Sequence, residues 1–174
     1  MLRLSRTLSN ISIYLILTLL INVMVISILL ISIKPLMEGS YKYFLDLGKW
    51  LQTNLDASLS LIKGIGITIL LVTFISFIIL IFILIFINSR KSISQRFGYI
   101  FGLCASGVGL IISILPAIIF GVFKNGDELS ILLSLIFFLL MGLSNSLLLI
   151  GSLFGILFAK TYLDNYEDKK IIKE

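Results

Sequence analysis

The chain has no histidine and a single cysteine. Histidine is the side chain that exchanges protons nearest neutral pH, and it is the commonest metal ligand. With Cys104 alone, neither an intrachain disulfide nor a thiolate-held metal cluster can form. Charge is scarce as well: Asp, Glu, Lys and Arg make up 13% of 174 residues, where a soluble domain carries about 25%. No glycine-rich loop precedes a Lys-Ser or Lys-Thr pair, so the usual nucleotide cradle is missing. Asp127 and Glu128 are neighbours, so their side chains diverge and make no acid–base pair. These gaps predict no catalytic residues, no metal and no cofactor.

What the chain has in quantity is apolar residues, 59% of the total. Four stretches contain no Asp, Glu, Lys or Arg: 11–33, 64–88, 98–123 and 129–159. A bilayer core about 30 Å thick is crossed by about 20 helical residues. In lipid, a single segment satisfies its own backbone only as a helix. The pattern predicts an all-α integral membrane protein: a four-transmembrane-helix bundle in a single domain, 1–174. Arg3 and Arg6 precede the first stretch as they would in a signal peptide. That stretch is too long for an h-region and no small-residue cleavage site follows, so it reads as an uncleaved first helix.

The net charge of +5 carries topology rather than nucleic-acid binding. Nine lysines and arginines fall in the N-terminus, the loop containing Arg90, Lys91 and Arg96, and the tail 160–174, against five in the first and third loops. This bias predicts both termini in the cytoplasm of a cell whose plasma membrane holds the protein. The abundant isoleucine, asparagine and lysine suit an AT-rich genome.

The first loop has a helical period over about 41–62. Phe44, Leu47, Leu51 and Leu55 fall on one stripe, with Asp46, Lys49 and Asp56 mostly opposite. The expectation is one amphipathic interfacial helix between transmembrane helices 1 and 2. Ser40 is its candidate cap, and Trp50 sits at headgroup depth. Asn125-Gly126 predicts a tight turn between the third and fourth helices. The tail reads as a frayed helix end in solvent.

Membrane helices associate through small residues that let backbones approach. Gly98, Gly102 and Ser106 recur every four residues in the third helix, with Gly109 beside them. The fourth carries Gly151 and Gly155, and a stripe of Gly142, Asn145 and Ser152. These nine are the expected helix-packing residues, and Cys104 reads as a small packing residue among them. Pro116 predicts a kink. Asn22 and Asn145 lie near the centres of uncharged stretches and form a possible polar membrane site. They would serve as hydrogen-bonding glue or as part of a ligand site. In outline the layout resembles claudin-like tetraspans, but it departs from that family's paired cysteines in the first loop.

No span carries a charged side chain, which argues against proton relays and voltage sensors. Two readings remain. One is a non-enzymatic accessory, assembly or protective subunit that packs on a membrane-protein partner or forms a homo-oligomer, with the lipid bilayer as surroundings and no nucleic acid. The other is an oligomeric small channel or permease subunit with a weakly polar pore of Asn, Ser and Thr.

Overall fold

The computed structural model describes residues 2–39, 42–55, 58–118 and 128–171. Within them the chain is helical, with no strand among the described residues. The elements are α1 (Leu2–Ile31), α2 (Ile33–Glu38), α3 (Lys42–Leu55), α4 (Leu59–Ile87), α5 (Ser92–Ile118) and α6 (Glu128–Ile171). Four of these, α1, α4, α5 and α6, are long and apolar enough to cross a membrane. Length and hydropathy are the grounds for reading the chain as a multi-pass membrane protein.

Helix ends follow local chemistry. Ser58 caps α4, its hydroxyl accepting from the Leu61 N–H at 3.4 Å. Pro35 sits in the first turn of α2, where a missing N–H costs no helical bond. Lys34 and Glu38 lie 3.9 Å apart one turn from each other, both exposed, so the pair contributes little.

Several boundaries differ from the uncharged stretches. α1 begins nine residues before position 11 and takes in Arg3 and Arg6, because a helix follows hydrogen bonds while hydropathy follows side chains. The predicted first-loop helix over 41–62 is divided: α3 stops at Leu55, and Ile62 belongs to α4. The tail is not frayed through its length, since α6 remains helical to Ile171, well past its apolar span Ser134–Phe158. α5 continues two residues beyond Pro116. Ser40 and the Asn125-Gly126 turn fall outside the described residues.

The chain divides into two compact units, residues 18–78 and residues 1–17 with 79–174. In the first, Gly66 of α4 presses on α1: a Cβ there would come 3.0 Å from Leu30 Cβ and 3.1 Å from the Ser27 carbonyl oxygen. Gly48 of α3 is buried against Met37 of α2. In the second, α5 and α6 pack along each other.

Burial differs from that of a soluble protein: apolar side chains such as Ile13, Ile83, Ile87 and Leu148 are buried, but polar ones are buried beside them. The buried set includes Ser5, Ser9, Ser12, Gln95, Ser106, Ser113, Ser144, Asn145 and Ser152. Leu, Ile, Val and Phe fill the exposed surface of the long helices, Ile111, Leu143 and Leu157 among the most exposed. In water this arrangement would leave a large apolar surface exposed. In lipid, aliphatic surface belongs outside, and small polar side chains belong at helix seams.

Candidate functional site

The polar interior of the second unit is built on three helices. α1 offers Ser5, Ser9 and Ser12, spaced four and three apart so that they share one face. This face meets α6. The Ser5 hydroxyl donates to the Gly151 carbonyl at 2.7 Å, and the Ser12 hydroxyl donates to the Ser144 carbonyl. Gly151 makes the approach possible, because a Cβ there would lie 2.6 Å from Ser9 Oγ.

α6 also meets α5. A Cβ at Gly102 would lie 2.6 Å from Ser152 Oγ, and one at Gly155 would overlap the Tyr99 ring. Further along the seam, a Cβ at Gly109 would collide with the carboxamide of Asn145. Gly142 has only ordinary contacts, 3.7 Å to Phe138 and 3.8 Å to Ser113 Oγ. Gly98 faces α4 instead: a Cβ there would lie 2.6 Å from the Ile87 backbone nitrogen. Ser106 is buried, and its hydroxyl donates to Leu103 of its own helix at 2.8 Å. The predicted small residues therefore meet several partners, and α1 and α4 share in the contacts.

The two asparagines of the expected polar site differ. Asn145 is 3% exposed, and its Nδ2 donates to the Met141 carbonyl at 2.8 Å, one turn back. Asn22 is exposed at the middle of α1 and has no hydrogen bond among the described residues. A reciprocal amide pair does link two helices, but it joins Asn10 of α1 and Asn88 at the end of α4, at 3.0 and 3.1 Å. Asparagines at span ends are ordinary in sequence, so nothing distinguishes these two there. Cys104, read as a packing residue, is exposed. Of the expected interfacial residues, Leu47 and Trp50 are exposed on α3, and the side chains of Phe44, Leu51 and Leu55 fall outside the described set.

A second group is barely legible in the sequence. Arg6 Nε, Ser9 Oγ, Gln95 Nε2, the Tyr99 hydroxyl and Ser152 Oγ are buried and have no hydrogen-bond partner among the described residues. All five lie on stretches of α1, α5 and α6 that meet in the second unit. Ser9 and Tyr99 rest on Gly151 and Gly155, successive turns of a single α6 stripe, with Ser152 between them. Gln95 is one turn before Tyr99 on α5, and Arg6 is one turn before Ser9 on α1. The one sequence signal is the Ser5–Ser9–Ser12 period, which matters only once α1 is known to face α6. Among the described residues no group of His, Cys, Asp or Glu could hold a metal. Compared with protein-family models, curated proteins and solved structures, the chain has no match.

Proposed function

We propose that the chain is a non-enzymatic membrane protein that acts through helix contact with a second membrane polypeptide, as an accessory, assembly or protective subunit. The observation that carries this reading is Asn22. It is exposed, has no hydrogen bond among the described residues, and is the midpoint of the uncharged stretch 11–33. A carboxamide left to hydrocarbon costs several kcal/mol, and another helix supplying a polar partner removes that cost. Two glycines support the same reading. Among the described residues nothing lies within 4 Å of where a Cβ would sit at Gly64 or Gly107, so backbone there is open to close approach. Gly64 also lines a groove of about 450 Å³ with Leu61, Ile65, Thr68 and Ile69.

The pore reading has less support. A pore made by several copies would need a continuous polar stripe on outward faces, and the exposed Asn22 and Thr68 fall on different helices. In the α5–α6 unit Ser and Asn turn inward, and Ile111 and Leu143 face out. The lysine and arginine bias supports cytoplasmic termini. α3 then belongs on the outer surface as an amphipathic interfacial helix, with Leu47 and Trp50 against the headgroups.

The test is gentle extraction of the tagged chain from native membranes, with companions identified by mass spectrometry and the complex mass determined. We expect a stoichiometric companion or a defined homo-oligomer. Asn22→Leu should dissolve the assembly and leave the fold intact, since leucine suits lipid. A monomeric wild-type chain, or an assembly indifferent to Asn22→Leu, would refute the proposal. Solute leak from vesicles holding the pure chain would move the assignment to a pore.

A further inference from the structure

We infer that the group formed by Arg6, Ser9, Gln95, Tyr99 and Ser152 is a binding site for a phosphate-bearing anion at the membrane boundary. All five groups carry an N–H or O–H, and none has a partner among the described residues. Ser9, Tyr99 and Ser152 are fully buried, and Gln95 is 7% exposed. A buried donor left without an acceptor is destabilising, and five of them on three adjoining helices call for an acceptor-rich occupant. The charge nearest these groups favours an anion. α1 and α5 carry Arg3, Arg6 and Arg96 and no Asp or Glu, and the acids of α6, Glu128, Asp164, Glu167 and Asp168, lie outside its apolar span Ser134–Phe158. Among the described residues no carboxylate pairs with any of these cations; the ion pair present joins Lys34 and Glu38.

Depth fixes the kind of anion. Arg6 precedes the uncharged stretch that starts at position 11, and Gln95 is in the first turn of α5. Ser152 and Gly155 lie six and three residues before the end of the apolar span of α6, Ser134–Phe158. The group therefore lies toward one end of the spans, on the side where phospholipid phosphates are nearest. A phosphodiester offers several acceptor oxygens, and the Arg6 guanidinium and Gln95 amide can donate to two of them while the hydroxyls fill the rest. The site is separate from Asn22, so it stands or falls independently of the proposed partner.

The test is native mass spectrometry of the full chain in neutral detergent, with phosphatidylglycerol, phosphatidylcholine or inorganic phosphate added in parallel. Retention of one phosphatidylglycerol per chain, in preference to phosphatidylcholine, is expected and identifies a lipid headgroup. Retention of inorganic phosphate alone would keep the anion site and identify a free anion. Arg6→Gln should weaken binding about tenfold, the usual worth of a charge-assisted bond. Tyr99→Phe keeps the ring on Gly155 and removes one oxygen, and it should weaken binding several-fold without unfolding the chain. If the wild-type chain retains neither anion selectively, the inference is wrong. It is equally wrong if Tyr99→Phe and Arg6→Gln both bind as the wild type does.

Discussion

Adding one methyl group at Gly109 should loosen the α5–α6 seam, and Asn145→Ala should cancel the damage. A Cβ at Gly109 would overlap the oxygen, carbon and nitrogen of the Asn145 carboxamide at once. That carboxamide cannot swing away freely, because its Nδ2 is held by the Met141 carbonyl at 2.8 Å and it is 3% exposed. Overpacking of this kind costs about 1–3 kcal/mol. Alanine also gains up to about 1 kcal/mol over glycine in helix propensity, so Gly109→Ala alone can look mild. A double-mutant cycle removes the ambiguity, because the propensity gain enters both backgrounds and cancels. The expected coupling is about 1–3 kcal/mol, roughly 5- to 150-fold in the unfolding equilibrium. Gly107→Ala serves as the internal control: it lies on the same helix with open space around its Cβ position and should be neutral or slightly stabilising. The assay is reversible unfolding in mixed micelles followed by helicity. Additive effects of Gly109→Ala and Asn145→Ala would refute this account of the seam.

Alanine substitutions should also rank by what the new methyl meets. Gly98→Ala should destabilise most, since it strikes the Ile87 backbone nitrogen, which has no rotamer to change. Gly142→Ala, with its nearest contact at 3.7 Å, should be close to neutral in the same unfolding assay. Topology can be read by thiol labelling in a Cys104→Ser background. With cytoplasmic termini, Ser89→Cys in the α4–α5 turn should react with an impermeant maleimide only after cells are opened, and exposed Ser58→Cys should react in intact cells. The opposite pattern would overturn the orientation.

The sequence alone carries the class of the protein. Four uncharged stretches admit little besides four helices in lipid, because no other single-segment structure satisfies its own backbone there. The lack of histidine and of charged residues in the spans also narrows the chemistry, because proton relays are built from those groups. Small residues can be picked out by spacing, but their partners cannot. Spacing says which side chains share a face of one helix and nothing about the helix opposite. Gly98 and Gly102 sit four residues apart in the same pattern, yet one meets the α4 backbone and the other meets Ser152 of α6.

Asn22 and Asn145 show the same division. Both are mid-span carboxamides in sequence, and only tertiary structure separates a buried amide bonded to its own helix from an exposed amide with no partner among the described residues. The group of Arg6, Ser9, Gln95, Tyr99 and Ser152 comes from three segments up to 146 residues apart. No local pattern links them. Serine and glycine let α1 and α5 close on α6, and in that closure five donors are buried without a partner among the described residues.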